Sequence, residues 1–192
     1  FDGGKLINEF IIHEVWYSYL NIVMKNILVV GTGTIGEPLI GLLAQHKEKL
    51  GIDNISFFKR TPLSDEKGKV EALIRKGAKL VATSEAKNDF ESMGFKVEDL
   101  EKSYEENQVI IDCTPSGNKN WDEIYANLDK DKRFLAQGSE HGFGPFFAWG
   151  INNNVLANDK NKYLIASCNT HNIASILKTF VLDKDKNLNE GR

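Results

Sequence analysis

The stretch Met24-Lys25-Asn26-Ile27-Leu28-Val29-Val30-Gly31-Thr32-Gly33-Thr34-Ile35-Gly36 decides the fold. Residues 27–30 are apolar without interruption, as in a strand covered on both faces. Three glycines follow at G-x-G-x-x-G spacing, and Ile35, Leu39, Leu42 and Leu43 then repeat as one face of a helix. Pro38 falls in that helix's first turn, where a missing N–H costs little. Strand, glycine turn and helix in this order give the pattern its meaning, a dinucleotide-binding loop. Gly31 allows the tight turn, Gly33 lets a pyrophosphate approach the backbone, and Gly36 lets helix and strand pack closely. With Thr34 and Ile35 between them, these glycines are the first cofactor-binding candidates.

Apolar runs keep alternating with helical periodicity further along. Strands are predicted at 55–58, 79–82, 133–137 and 163–167, and 109–115 reads as a central strand followed by a turn. Val70, Leu73 and Ile74 mark a helix closed by Gly77 at its C′ position. The segment 90–107 is polar and reads as two helical pieces. Ile124 and Leu128 mark a modest helix, and Ile173, Ile176, Leu177 and Phe180 repeat at helical spacing near the end. Such alternation implies an α/β, Rossmann-like, doubly wound fold with a mostly parallel sheet and right-handed crossovers.

The end of the second strand bears on the cofactor. NAD sites of this type place Asp or Glu there for the ribose 2′-hydroxyl. Here the sequence is Lys59-Arg60-Thr61. Two cations suit a 2′-phosphate, so NADP is favoured over NAD. Asp112-Cys113-Thr114-Pro115-Ser116-Gly117 follows a central strand, and ligands in open α/β sheets bind outside such ends. Thr114 and Pro115 are expected along the cofactor near its nicotinamide end. Gly138, in Gln137-Gly138-Ser139-Glu140-His141-Gly142, holds the corresponding place on the next strand. Cys113 reads as a small buried residue and His141 as polar surface.

Cys168 lies in Ser167-Cys168-Asn169-Thr170-His171, where a strand runs into the last helix. A thiol at a helix N-terminus feels the positive end of the helix dipole, which favours the nucleophilic thiolate. The first amides of the helix have no intrahelical partner and can stabilise an oxyanion. Together with the nucleotide loop, this suggests a dehydrogenase that handles an acyl group as a thioester. His171 lies on the same helix side, three residues on, but that geometry is poor for in-line proton transfer.

Composition bounds these readings. The chain has 192 residues, enough for one ordinary α/β domain, and a net charge of −3, which leaves no nucleic-acid footprint. Its two distant cysteines form neither a disulfide framework nor a metal-binding pattern, and a reactive thiol fits a reducing, cytoplasmic compartment. No apolar run approaches the ~20 residues needed to span a membrane. Residues 1–23 carry an aromatic–apolar patch without the basic start or small-residue cleavage site of a secretory signal. They are expected to lie outside the fold, as an extension.

Four stretches together resemble the type II, archaeal-type glyceraldehyde-3-phosphate dehydrogenases. These are the glycine loop with its Thr34-Ile35-Gly36, Asp112 to Pro115, Gln137 to Glu140, and Ser167 to Thr170. The Ser-Cys-Asn-Thr run is the most specific. The resemblance implies a cytoplasmic homotetramer that converts glyceraldehyde 3-phosphate, inorganic phosphate and NAD(P) to 1,3-bisphosphoglycerate, or the reverse. It implies that Cys168 is the nucleophile, that Asn169 and Thr170 flank it at the substrate, and that Lys59 lies near the adenosine ribose. His171 departs from the small residue usual there. The family's general-base histidine and phosphate-binding arginines belong to a second domain downstream. The domains are therefore expected as an extension at 1–23, a cofactor domain at 24–167, and the start of a largely missing catalytic domain at 168–192. An aspartate-semialdehyde dehydrogenase-like acyl-phosphate reductase and a non-catalytic nucleotide-binding module are the competing readings.

Overall fold

β1 (Asn26–Val30) is the first element of a computed structural model that describes residues 26–137, 140–158 and 160–181. The expected extension at 1–23 lies outside the described residues. Ile27, Leu28 and Val29 are fully buried, which is why the strand carries no polar residue after Asn26. β2 (Asn54–Phe58) pairs with it in parallel, Ile27 beside Ile55 and Val29 beside Phe57. β3 (Ala78–Ala82) continues on β2, and β4 (Val97–Asp99) on β3, both parallel.

The chain divides between Ile111 and Asp112 into two compact units. In the first, the strand order is β4-β3-β2-β1-β5, with β5 spanning Val109–Asp112. The chain moves outward from β1 to β4 and then returns to the other side of β1. That reversal is the topological switch point at which open α/β sheets bind ligands, outside the carboxyl ends of the strands. The helices are α1 (Gly36–His46), α2 (Lys67–Arg75), α3 (Ser84–Ser92) and α4 (Leu100–Glu106). Gly77, at φ +96°, closes α2 by donating its N–H to Ile74 O at 2.9 Å, as the sequence predicts.

In the second unit the order is β6-β8-β7, from β6 (Arg133–Gln137), β7 (Phe146–Phe147) and β8 (Lys162–Ile165), with β8 parallel to both neighbours. α5 (Gly117–Glu123) lays Trp121 edge-on to Phe134 and Phe143, with ring centroids 5.3 and 5.9 Å away. The Lys162 ammonium stands 3.8 Å above the Trp121 ring centre, and burial there lowers its pKa. α6 (Cys168–Ile176) ends in a π-helical turn, Leu177–Val181. The parallel, Rossmann-like α/β fold expected from the sequence is the fold observed.

Several local expectations are corrected. The buried side of α1 is Gly36, Ile40, Gly41 and Ala44, whereas Leu42 and Ile35 are 57% and 49% exposed. Ile40 is the large apolar residue that α1 buries, and at Gly41 a Cβ would stand 3.0 Å from Nζ of Lys76, the residue that follows α2. The segment 90–107 holds the end of α3, the short strand β4 and α4, rather than two helical pieces alone. Ile124 and Leu128 fall after α5, flanking a 3-10 turn at Tyr125–Asn127. Ile173, Ile176, Leu177 and Phe180 do share a helix, but all four are exposed.

Gly144 has no room for a side chain: a Cβ there would stand 2.7 Å from the Lys162 carbonyl oxygen, at the start of β8. Gly144→Ala should therefore cost about 2 kcal/mol, read from the urea midpoint of unfolding. An unchanged midpoint would show that the 143–145 segment does not press on β8.

Candidate functional site

The glycine loop has the geometry that its residues demand. Gly31 takes φ +97° directly after β1, a conformation that favours glycine, and its N–H donates to Phe58 O at 3.3 Å. This ties the loop to the end of β2. A Cβ at Gly33 would meet nothing within 4 Å, so the backbone there is open to an approaching group. Gly36 is buried at the start of α1, while Thr34 and Ile35 are exposed. Ile35 occupies the N-cap position without a side-chain hydrogen bond to the first turn. The open backbone at Gly33, directly before α1, suits a pyrophosphate, while in the first turn of α1 the Glu37 N–H is bonded to Gly33 O at 3.0 Å and Pro38 has no N–H. The five predicted loop residues thus fit a nicotinamide dinucleotide, which residues 31–36 would hold by backbone contact.

Lys59 and Thr32 line one shallow cleft with Glu37, Glu66 and Lys69, over Val70 and Leu73. Lys59 is only 7% exposed, and its N–H donates to Val81 O at 3.1 Å, continuing the β2–β3 ladder by one residue. Its ammonium is hydrogen-bonded to the Glu66 carboxylate. That bond holds the Glu66 carboxyl below its ordinary range against the opposing effect of burial. Lys69 lies 3.8 Å from the other Glu66 oxygen. Arg60 and Thr61 are exposed. Glu66 went unrecognised in the sequence. It ends a 3-10 turn, Ser64–Glu66, that folds back to Lys59 across seven residues, and no periodicity announces it.

In the second unit, Asp112 organises the loop after β5. It is 1% exposed, and its Oδ1 accepts the Thr114 N–H at 2.8 Å and the Thr114 hydroxyl at 2.6 Å. Its Oδ2 accepts from Asn120 Nδ2 at 2.7 Å and from the Tyr125 hydroxyl at 2.8 Å. Thr114 is thereby fixed by four bonds, since its own Oγ1 also accepts from the Ser116 N–H at 3.2 Å and from Asn120 Nδ2 at 3.3 Å. Pro115 is exposed beside it. Gly138 lies outside the described residues. Glu140 is buried, and its Oε2 accepts the Asn118 N–H at 2.8 Å in the first turn of α5. His141 is exposed and rests against the Phe146 ring.

Cys168 is exposed and is the first residue of α6. Ser167 caps the helix: its Oγ accepts the Thr170 N–H at 3.2 Å, and its carbonyl accepts the His171 N–H at 2.8 Å. The amides of Cys168 and Asn169 have no partner inside the helix. Asn169 and Thr170 are exposed next to them. His171 donates from Nε2 to the Trp149 carbonyl at 3.0 Å, so that nitrogen is not available to the thiol. Cys113 contrasts with Cys168: burial, with the Asp112 charge adding to it, pushes its thiol up to about 12. It is 8% exposed, in keeping with its reading as a packing residue.

Comparison with known proteins bears on this geometry. The chain is 28% identical over 160 residues to a glyceraldehyde-3-phosphate dehydrogenase of Methanobacterium formicicum, across 80% of this chain and 44% of that protein. The chain resembles the N-terminal portion of archaeal glyceraldehyde-3-phosphate dehydrogenase. This agrees with the resemblance carried by the glycine loop and the Ser-Cys-Asn-Thr run. The chain spans less than half the length of that relative. Among solved structures, a Haloferax mediterranei glucose dehydrogenase in complex with NADP, Zn and gluconolactone is 17% identical, with a TM-score of 0.46, covering 86% of this chain and 43% of that one. An imine reductase from Pseudomonas sp. is 18% identical, with a TM-score of 0.37, covering 59% and 32%. No protein-family model matches. Among the described residues, no helix is long and apolar enough to cross a membrane.

Two measurements follow from the second unit. Removing the Asp112 carboxylate leaves four donors without their acceptor, so Asp112→Ala should lose about 3 kcal/mol of stability, and Tyr125→Phe about 1. Chemical denaturation of the two variants checks both values. Brief iodoacetamide treatment at neutral pH, followed by peptide mass mapping, should label Cys168 and leave Cys113 untouched until the chain is unfolded in urea. Equal labelling of the two thiols in the folded chain would contradict their assigned environments.

Proposed function

We propose that the chain carries the cofactor site and the nucleophile of an NAD(P)-dependent oxidoreductase acting on an aldehyde. More specifically, the reaction is the phosphorylating oxidation of glyceraldehyde 3-phosphate to 1,3-bisphosphoglycerate, or its reverse. The observation that carries this reading is the exposed Cys168 at the first position of a capped helix, directly after a parallel strand. The open glycine loop and the relative from Methanobacterium formicicum support it. When bound, a nicotinamide accepts or donates the hydride of such a reaction.

The chain's own residues have the following roles. Residues Gly31, Gly33, Thr34, Ile35 and Gly36 bind the pyrophosphate, and Lys59 and Arg60 serve the adenosine ribose. Thr114, Pro115 and Gly138 are assigned to the nicotinamide side. Cys168 Sγ bonds to the aldehyde carbon, and the amides of Cys168 and Asn169 bind the oxyanion that develops. Asn169 and Thr170 contact the substrate. His171 is not assigned the thiol proton, because its Nε2 is engaged with Trp149 O. Once the hemithioacetal carbon has given up its hydride, the thioester remains, and inorganic phosphate displaces Cys168 Sγ to release the acyl group as the acyl phosphate. The same reading makes the enzyme a cytoplasmic homotetramer whose partners are small molecules.

The test uses the protein that carries this chain, wild type and Cys168→Ser. NADP reduction should depend on both glyceraldehyde 3-phosphate and inorganic phosphate, and Cys168→Ser should lower kcat by on the order of 10³-fold. Turnover of aspartate semialdehyde in place of glyceraldehyde 3-phosphate would overturn the substrate assignment. Unchanged activity in Cys168→Ser would overturn the thioester route.

A further inference from the structure

The sequence favours NADP because no carboxylate follows β2, yet the fold delivers one. Glu66 reaches back from the turn before α2 and hydrogen-bonds the Lys59 ammonium in the cleft that Thr32 of the glycine loop also lines. We propose that Glu66 is the residue that selects between cofactors: seated on Lys59 it admits a 2′-hydroxyl, and moved off Lys59 it admits a 2′-phosphate. This inference rests on the proposed dinucleotide site and adds a specificity residue to it.

The argument is electrostatic. Lys59 is almost wholly buried, so its ammonium needs an anionic partner. That partner is Glu66. A ribose 2′-phosphate would supply the same charge with more acceptor oxygens, but it cannot share one ammonium with a carboxylate at contact distance without like-charge repulsion. The carboxylate must therefore leave before the phosphate can bind Lys59. A ribose 2′-hydroxyl imposes no such exchange. It can donate to a Glu66 oxygen while the Lys59 pair stays intact, which is the service a carboxylate gives in NAD sites.

A second position for Glu66 is already provided. Its other carboxylate oxygen lies 3.8 Å from Lys69, one turn into α2, whose side chain is 57% exposed. Glu66 can pass from the buried lysine to the exposed one without becoming an unpaired anion. Lys59 draws the 2′-phosphate in, and Glu66 opposes it. Their balance allows either nucleotide, with the carboxylate setting a penalty on NADP alone.

Calorimetric titration with the adenosine halves of the two cofactors tests this on the chain itself. The probes are 2′,5′-ADP and 5′-AMP, added to wild type, Glu66→Gln and Lys59→Gln at fixed ionic strength. Glu66→Gln keeps the shape of the side chain and removes its charge. It should tighten 2′,5′-ADP by about tenfold and leave 5′-AMP unchanged or slightly weaker. Lys59→Gln should weaken 2′,5′-ADP far more than 5′-AMP, and melting curves of both variants show that they fold. If Glu66→Gln leaves the ratio of the two Kd values at its wild-type level, or weakens 2′,5′-ADP, the selector role is overturned while the cofactor site stands. If wild type and variants bind neither probe, the cofactor site falls, and the selector with it.

Discussion

Burial of β1 on both faces is the constraint on which the first unit depends. A strand covered on both sides favours apolar side chains, and residues 27–30 are all apolar and buried. The strand must then leave the sheet sharply, because α1 has to pack back against it. Gly31 makes that exit in the left-handed region, with its N–H tied to the end of β2. Gly36, Ile40 and Ala44 then bring α1 close to the sheet. The uncovered backbone at Gly33 is a consequence of this packing as much as a binding feature.

Charge is arranged around that turn economically. The end of β2 carries a buried lysine, and burial obliges it to hold a carboxylate. In a cofactor site, such a pair is more than a tie between β2 and the turn before α2: whichever anion satisfies the lysine also decides what the ribose end can accept. In the second unit, a buried carboxylate has the opposite character. Asp112 has all its partners within the fold, four donors from Thr114, Asn120 and Tyr125, and so it fixes a loop rather than waiting for a ligand. Glu140 behaves in the same way toward the first turn of α5.

The parallel α/β fold was legible because buried strands write themselves as apolar runs. β1, β2, β3, β6 and β8 each lie within a residue or two of the predicted limits. β4 was not legible, since a three-residue edge strand reading Val-Glu-Asp has only Val97 to bury. β7 was not legible either, as two residues cannot show a period. On α1 the leucines set the apparent apolar face, but the helix buries Ile40 with Gly36, Gly41 and Ala44 instead. The glycine loop was readable because each glycine has a steric reason. Glu66 and the Asp112 network were not, because both depend on where a turn returns the chain, which local sequence does not encode. Cys168 was readable from the strand-to-helix junction, and the Ser167 cap shows how that junction is held.

The proposed chemistry requires residues 31–36 to accept a dinucleotide at Gly33. Gly33→Val tests this most directly, because a side chain there meets nothing within 4 Å and its backbone is not in the left-handed region. The fold should tolerate valine, while the space for a pyrophosphate is lost. Titration of NADP into wild type and Gly33→Val, with melting curves of both, is the measurement. The account predicts binding by wild type, none by the variant, and closely similar melting temperatures without ligand. Equal NADP affinity in the two proteins would contradict it.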